Sequence, residues 1–152
     1  MDGQHSSSYR NSYGNTYSHE ATISLYDVDG AGLLFFGNHY RLHEDAYEAF
    51  LEEHGFSVGR VLREGEWLVP IVHSEADYSL PLTTGDKLIL KLGCESLSTH
   101  SFVLVSVFLK DGSAEAARVR TAHVVVDRRT GQKAPIPNEL RGALESIAAA
   151  AG

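Results

Sequence analysis

The sequence predicts an α+β fold in which a curved antiparallel sheet wraps around one long helix. The first indication is the order of segments, since one β-rich stretch and one helical stretch precede four further β-rich stretches. The second is that short, turn-like separators join those four stretches, which favours antiparallel neighbours. With 152 residues, the chain suits one domain that buries a substantial core. Such a sheet leaves an open face and an edge that oligomerisation would cover.

The chain begins with a polar segment, which is followed by the first predicted strand. Residues 1–16 are rich in Ser, Tyr, Asn and Gly without periodicity, so we predict a disordered tail there. Residues 17–147 are predicted to form the single domain, and residues 148–152 a frayed C-terminus. Residues 17–26 are rich in β-branched and aromatic side chains and indicate the first strand. The acidic, Gly-rich segment DVDGAG that follows has turn chemistry.

A long helix is predicted from Gly37 or Asn38 to His54. Asn38 is a suitable N-cap, and Gly55 is in the right place for a C-terminal cap. Apolar residues recur on one face at helical spacing, namely Leu42, Ala46, Ala49 and Phe50. The spacing therefore predicts a helix that buries this face against the sheet.

The remainder of the chain is predicted to be mostly β. Four strands are expected, over residues 67–80, 87–97, 101–110 and 114–127. The Asp111-Gly112 pair between the third and fourth of these strands predicts a tight hairpin. Residues 138–150 are expected to form a short closing helix.

Composition and charge argue against several classes of partner. The formal net charge is −7, from 20 acidic and 13 basic residues, and no basic stripe interleaved with aromatic residues is present, so we predict no nucleic-acid partner. The longest apolar run, residues 102–109, is too short to span a bilayer, so no membrane partner is predicted either. The polar N-terminus lacks a secretory signal, and the single cysteine, Cys94, suits a reducing compartment. Together these features predict a cytoplasmic protein.

The chemistry-bearing stretch is residues 25–50, LYDVDGAGLLFFGNHYRLHEDAYEAF. A carboxylate there precedes a helix N-terminus, and the intervening glycines allow the backbone to approach a ligand closely. Backbone N–H groups at the start of a helix are unpaired and lie at the positive end of its dipole. Such donors can stabilise a carbonyl oxygen as it becomes an oxyanion, at about 2.7–4 kcal/mol for one good donor. The arrangement therefore indicates acyl chemistry, although the same residues could form nothing more than a turn.

This stretch resembles a known family. The pattern D-x-D-x-x-G, then apolar or aromatic residues, a small residue and a helix bearing an acidic residue, is similar to that of the 4-hydroxybenzoyl-CoA thioesterase family of hot-dog proteins. The matching positions are Asp27, Asp29, Gly32, Phe35, Phe36, Asn38 and Glu44. The segment WLVPIVHSEADYSLPLTTGD also looks like the family's second strand and following turn, so the resemblance covers roughly residues 17–137.

The resemblance implies a hot-dog fold and hydrolysis of an acyl-CoA. It implies no cofactor beyond the CoA of the substrate itself, and a homo-oligomer that is at least a dimer and is expected to be a tetramer. Within the family, DGAGLLFF and HEDAYEAF look closest to the 1,4-dihydroxy-2-naphthoyl-CoA hydrolases of quinone biosynthesis. The alternatives are a 4-hydroxybenzoyl-CoA or broad-range acyl-CoA thioesterase, a non-catalytic acyl-CoA or acyl-carrier binding module, and a hydratase or dehydratase.

The resemblance also implies site residues. Asp29 matches the catalytic carboxylate, which acts as nucleophile or general base. The oxyanion donor matches the backbone N–H of Phe36, with Gly37 beside it at the helix start. The residues with an implied supporting role are Asp27, Gly32 and Glu44. The residues expected to contact substrate are Phe35, His39 and His73.

Two further patterns are candidate ligand sites. His39 and His43 have the i, i+4 spacing of zinc ligands, but the segment HYRLH lacks the Glu of HExxH and no third ligand is evident, so a half-buried helix face is favoured and no metal is predicted. Some relatives carry a basic cluster that meets CoA phosphates where this chain has Ser-Thr-His at residues 98–100. The remaining candidates for that contact, from a neighbouring chain, are Arg128, Arg129 and Lys133.

Overall fold

The structure, a computed structural model, describes residues 15–148. Five strands form its main antiparallel sheet: β1 (Tyr17–Thr22), β3 (Ile71–Tyr78), β4 (Lys87–Leu97), β5 (Ser101–Lys110) and β6 (Ala114–Val124). Their order across the sheet is β1-β4-β5-β6-β3, so β1 and β3 are the edges. Two short strands, β2 (Trp67–Leu68) and β7 (Val126–Asp127), pair with each other in a second sheet.

Three α-helices accompany these sheets. They are α1 (Asn38–Glu53), α2 (Val58–Glu64) and α3 (Asn138–Glu145), and a 3-10 turn covers Leu25–Asp27. The long helix α1 contacts β1, β4 and β6, which span most of the width of the main sheet. A sheet that touches one helix at such distant strands must curve around it. The predicted α+β arrangement is therefore confirmed.

The two ends of α1 differ in how well they were predicted. Gly55 has a φ of +85° and donates its N–H to the carbonyl of Glu52 at 3.1 Å, which confirms it as the residue that ends the helix. The prediction that Asn38 is the N-cap is wrong, because Gly37 occupies that position and Asn38 is the first helical residue. The Asn38 side chain instead donates to the carbonyl of Asp27 at 2.8 Å, which ties the helix to the preceding loop.

Several strands end earlier than predicted. Residues 67–80 form two strands, not one, because the chain leaves the small sheet near Pro70, which has no N–H to donate to a ladder. Residues 114–127 are also divided, since the N–H of Val125 donates to His100 at 2.8 Å between β6 and β7. The first strand stops at Thr22, and α2 was not predicted. The β5–β6 hairpin is confirmed, with positive φ values at Asp111 and Gly112.

A buried polar network fastens α1 to the sheet. His43 is fully buried, and its Nδ1 and Nε2 atoms lie 2.6 Å from Ser106 Oγ and 2.8 Å from Thr121 Oγ1. Thr121 Oγ1 also lies 2.8 Å from His123 Nε2, and the His123 ring stacks on Phe102. The helix is thus joined to both β5 and β6, and the predicted half-buried position of His43 is corrected to a fully buried one.

Acidification is expected to weaken the fold through this network. Burial lowers the pKa of His43 to about 3, with a further contribution from His123, and burial lowers the pKa of His123 to about 4. The unfolded chain has histidine pKa values of about 6.5, so it binds more protons than the folded chain between about pH 6.5 and pH 4. In that window the free energy of unfolding should fall by about 1.4 kcal/mol per pH unit for each histidine.

The variant His123→Phe tests this expectation, because it removes one titrating ring and keeps a planar ring against Phe102. Its thermal midpoint should fall less than that of the wild type when the pH is lowered from about 7 to about 5. An equal fall in both proteins would contradict the proposed linkage.

The two predicted terminal segments lie almost entirely outside the described residues. The predicted tail lies outside the described residues except for positions 15 and 16, and the predicted frayed end lies outside them except for Ala148, which bridges Cys94. Within residues 15–148 no helix combines the length and the apolar character needed to cross a membrane.

Candidate active site

A short hairpin between β1 and α1 presents Asp29. Asp29 donates its N–H to Leu33 at 2.8 Å, Phe35 donates to Asp27 at 3.1 Å, and Val28 bridges Leu34. Leu34 is buried and Val28 packs against the same core cluster. Because side chains alternate along extended backbone, Asp29 and Leu33 lie on the opposite, exposed face.

The carboxylate of Asp29 is oriented by its own turn. One oxygen, Oδ1, accepts the N–H of Ala31 at 2.8 Å and that of Leu33 at 3.2 Å. Gly32, with a φ of +81°, closes the turn by donating to the Asp29 carbonyl at 3.0 Å, a conformation that favours glycine. Within the described residues no hydrogen bond occupies the other oxygen, Oδ2. The side chain therefore has a fixed orientation and one oxygen available for chemistry.

Asp27 holds this hairpin against α1. Its buried carboxylate accepts the N–H and hydroxyl of Ser24 at 2.9 and 3.0 Å, and it pairs with Arg41 at 2.6 Å. Burial alone would raise the pKa of this carboxyl, but the hydrogen bonds from Ser24 and the charge of Arg41 bring the pKa below its usual range. Its carbonyl accepts the N–H of Phe35 and the side chain of Asn38. These contacts join the hairpin to the start of α1, and the supporting role implied for Asp27 stays a prediction.

The start of α1 carries unpaired amides. The N–H of Asn38 donates to Phe35 at 2.8 Å, whereas no hydrogen bond to the N–H of Phe36 or Gly37 is found over residues 15–148. A Cβ at Gly37 would lie 2.8 Å from the Phe35 ring, so the close approach of that ring requires glycine or a displaced ring. Both free amides are at the positive end of the helix dipole, where an oxyanion is stabilised.

An open cavity of about 330 Å³ is lined in part by Phe36, the first of these two residues. Its lining is mainly apolar and includes Leu33, Phe36, His39, Tyr78, Leu80 and Leu82. His39 is 5% exposed, and burial lowers the pKa of its ring, with smaller opposing contributions from the carbonyls of Phe36 and Phe35. Asp29 does not line this cavity, but Leu33, its partner across the hairpin, does.

His73 is placed away from the cavity. Thr121 faces α1, because it contacts His43, and Ser74 lies directly opposite Thr121 in the β3–β6 ladder. The neighbouring His73 therefore faces the other side of the sheet, where it lies 4.0 Å from Glu75. His73 is therefore not among the residues that line this cavity, and its contact with substrate stays a prediction.

Two further predicted site residues, Glu44 and Phe35, and one residue that was not predicted, Tyr78, have the following surroundings. Glu44 is exposed and makes no hydrogen bond among the described residues. Its pKa is raised mainly because nearby protein partly desolvates its carboxyl, and further by the charges of Asp45 and Glu48. Phe35 is 44% exposed and packs on the ring of Phe36 at 4.6 Å. Tyr78 lines the cavity but had no sequence signal, because it comes 42 residues after its contact Phe36.

Among residues 15–148, no three His, Cys, Asp or Glu side chains cluster as metal ligands would. The nitrogen Nδ1 of His39 contacts the carbonyl of Phe36 at 3.1 Å, and both ring nitrogens of His43 contact hydroxyl groups. The two histidines therefore have separate structural partners.

A sheet curved around one long helix, with free amides where that helix begins, defines a hot-dog-fold protein of the thioesterase class. Residues 23–144 match the family model of the thioesterase-like superfamily. The chain belongs to this superfamily.

Individual proteins similar to this chain are also named thioesterases or CoA hydrolases. The chain is 33% identical over 127 residues to a 1,4-dihydroxy-2-naphthoyl-CoA hydrolase of Rippkaea orientalis, covering 82% of this chain and 92% of the relative. The crystal structure of a 1,4-dihydroxy-2-naphthoyl-CoA thioesterase from Synechocystis has a TM-score of 0.81 and 29% identity, covering 88% of this chain and 98% of that one. A gentisyl-coenzyme A thioesterase structure has a TM-score of 0.74 and 26% identity, covering 84% and 98%.

Proposed function

We propose that this protein hydrolyses 1,4-dihydroxy-2-naphthoyl-CoA to the free acid and CoA, a step of menaquinone or phylloquinone biosynthesis. The single observation that carries the proposal is that one continuous segment bears a free carboxylate oxygen, on Asp29, and free amides, at Phe36 and Gly37. The proposed reaction uses no cofactor: CoA enters as part of the substrate and leaves as a product. The single cysteine suits a reducing compartment, and we propose that the protein acts in the cytoplasm.

The choice of acyl group is supported by the relatives and by the cavity. Three relatives named 1,4-dihydroxy-2-naphthoyl-CoA hydrolase are 30–33% identical to this chain, and each match covers 80–85% of its length. The cavity beside the helix start is apolar, with a tyrosine and a histidine at its wall, which suits a flat aromatic group that bears hydroxyls. A smaller aromatic acyl group, as in gentisyl- or 4-hydroxybenzoyl-CoA, is the second candidate, because one structural relative is a gentisyl-coenzyme A thioesterase.

The proposed mechanism has two routes that share one geometry. Asp29 Oδ2 either attacks the thioester carbon or removes a proton from a water that attacks it. The carbonyl oxygen becomes an oxyanion that accepts hydrogen bonds from the amides of Phe36 and Gly37. When the tetrahedral intermediate collapses, the carbon–sulfur bond breaks. In the general-base route the acid forms directly, and Asp29 passes the proton it took from water to the CoA thiolate. In the nucleophilic route the acyl group stays on Asp29 as a mixed anhydride while CoA leaves as a thiolate; water then hydrolyses the anhydride, which frees Asp29 and the acid and supplies the proton that CoA gains. Overall, one water and one acyl-CoA give the acid and CoA.

We further propose that a second copy of the chain completes the site. All residues of the edge strand β3 except Ala76 are exposed, including Val72 at 62% and Tyr78 at 49%. Phe36, whose carbonyl Tyr78 contacts at the end of this strand, is 63% exposed. Pairing of β3 with a second β3 would cover this edge and enclose the cavity. A molar mass of at least two chains in solution is expected, with four as the predicted assembly, and a monomer would contradict this proposal.

A panel of thioesters tests the activity. The purified protein should release thiol from 1,4-dihydroxy-2-naphthoyl-CoA with a kcat/KM at least about tenfold above that for 4-hydroxybenzoyl-, gentisyl- or palmitoyl-CoA. A preference for one of the smaller aromatic esters would replace the proposed substrate, and equal turnover of all four would indicate a broad-range thioesterase. Saturable binding without thiol release would indicate a binding module, and hydration of crotonyl-CoA would indicate a hydratase.

A further inference from the structure

Two side chains from different elements contact the carbonyl oxygen of Phe36. Tyr78, the last residue of β3, donates its hydroxyl to this oxygen at 3.2 Å. His39, in the first turn of α1, brings its Nδ1 within 3.1 Å of the same oxygen. The two rings meet edge to face at 4.6 Å, and the His39 ring stacks on the buried Phe108 at 5.7 Å. We call the Tyr78 and His39 contacts with the Phe36 carbonyl the carbonyl clamp.

The clamp controls the direction of an amide that the mechanism needs. The carbonyl of Phe36 and the N–H of Gly37 belong to one peptide unit, and no cis peptide bond occurs in the described chain. In a planar trans peptide the C=O and the N–H point in opposite directions. Fixing the carbonyl toward His39 and Tyr78 therefore fixes the Gly37 N–H on the other side of the peptide, with no hydrogen bond to it among residues 15–148.

The neighbouring peptide is fixed in the same manner by the helix itself. The carbonyl of Phe35 accepts the N–H of Asn38 at 2.8 Å, so the N–H of Phe36 points away from the helix. One of the two free amides is thus oriented by local helix geometry, whereas the other depends on a contact from β3.

We propose that Tyr78 and His39 are positioning residues for thioester hydrolysis, which hold the Phe36–Gly37 peptide so that the Gly37 N–H serves as an oxyanion donor. The inference rests on the proposed function, since it assigns these residues a part in that reaction. It also explains why a polar ring is buried at the wall of an apolar cavity. A neutral His39 with its proton on Nδ1 donates to the carbonyl, and burial, which lowers the pKa of the ring, favours the neutral form.

Substitution of Tyr78 by Phe isolates the hydroxyl, because the ring can still pack against His39. We expect kcat to fall by about tenfold with KM nearly unchanged, a smaller loss than the roughly 10²–10³-fold that follows removal of an oxyanion donor itself. Tyr17→Phe is the matched control, since Tyr17 is on the opposite edge strand β1 and packs on Phe50. Its kcat and KM should equal those of the wild type.

His39 can be tested by a pair of substitutions. His39→Asn keeps a donor close to the position of Nδ1 and should retain most of the activity, whereas His39→Leu should lose kcat at least as strongly as Tyr78→Phe. Equal activity of the Asn and Leu variants would overturn the role of His39 in the clamp.

A spectroscopic measurement tests the carbonyl clamp independently of thioester hydrolysis. Phe36–Gly37 is the only Phe-Gly step in the sequence, so protein labelled with carbonyl-¹³C Phe and ¹⁵N Gly gives one correlated amide signal. Loss of the Tyr78 hydroxyl should move the Phe36 carbonyl resonance upfield, and Tyr17→Phe should not move it.

The possible outcomes distinguish the two proposals. A shifted resonance with a lower kcat supports the clamp as a positioning device. A shifted resonance in a protein whose wild type releases no thiol supports the contact and overturns the proposed function. An unshifted resonance, or a Tyr78→Phe variant that changes KM and leaves kcat alone, overturns the clamp.

Discussion

Replacing Asp29 with Asn is expected to lower kcat for thioester hydrolysis by about 10³-fold or more, since the reaction would lose its nucleophile or base. The change should leave the fold intact. The amide oxygen of Asn can accept the same two N–H groups that Asp29 Oδ1 accepts now, those of Ala31 and Leu33. The free oxygen Oδ2 is replaced by an uncharged NH₂ group, which can act neither as nucleophile nor as base. Steady-state thiol release and the thermal midpoint, measured side by side, check both parts of this expectation.

The matched control is Asp111→Asn, the same chemical change in the exposed turn between β5 and β6. Asp111 has a φ of +53°, which Asn tolerates well, so neither activity nor stability should decrease. If Asp29→Asn retained kcat within about threefold of the wild type, general base and nucleophilic roles would both be excluded for this residue.

Replacing His43 with Ala is expected to have the largest effect on stability. The substitution removes a fully buried ring and leaves the hydroxyls of Ser106 and Thr121 without their shared partner. The cavity and the loss of the two hydrogen bonds to His43 together should lower the free energy of unfolding by about 3–5 kcal/mol. Thermal unfolding at a fixed protein concentration, with the molar mass confirmed, measures the loss.

His19→Ala is the control for this substitution. His19 is only half-buried on β1, and its loss should cost about 1 kcal/mol or less. Equal midpoints for His43→Ala and His19→Ala would show that the network adds nothing beyond burial of an ordinary side chain.

The parts of the fold that sequence reasoning predicted correctly are those specified by a few neighbouring residues. The spacing of Leu42, Ala46 and Phe50 defines the buried face of α1, and all three are buried. The left-handed backbone at Gly55 and at the Asp111-Gly112 turn follows from residue types that adopt positive φ most readily. Such signals need no knowledge of distant parts of the chain.

The incorrect strand limits depend on distant partners. Both halves of residues 67–80 are rich in strand-forming residues. Pro70 is a local sign of a break, but the pairing of the first half with β7 in a separate sheet depends on a distant part of the chain. The helix α2 is seven residues long and contains Gly59, which weakens any local helical signal. Asn38 has a side chain suited to an N-cap, but its NH₂ group donates instead to the carbonyl of Asp27, which lies 11 residues earlier in the chain.

The same distinction applies to the site. Asp29, Phe36 and Gly37 lie on one short segment, so their proximity follows from sequence. Tyr78 reaches Phe36 from another strand, which no local pattern indicates. The irregular register between Ile71 and His73 interrupts the regular alternation of faces, so the side of the sheet that His73 occupies could not be read from spacing alone.

A crystal structure of the Asp29→Asn variant with intact 1,4-dihydroxy-2-naphthoyl-CoA tests most directly the claim that one carboxylate and the amides of α1 act on one thioester. The thioester oxygen is expected about 3 Å from the nitrogen of Phe36 or Gly37, with the acyl carbon facing the side chain at position 29. The naphthoyl group should occupy the cavity bounded by Leu33, Tyr78 and Leu80. A bound substrate whose thioester lies away from both amides, or out of reach of position 29, would contradict the account.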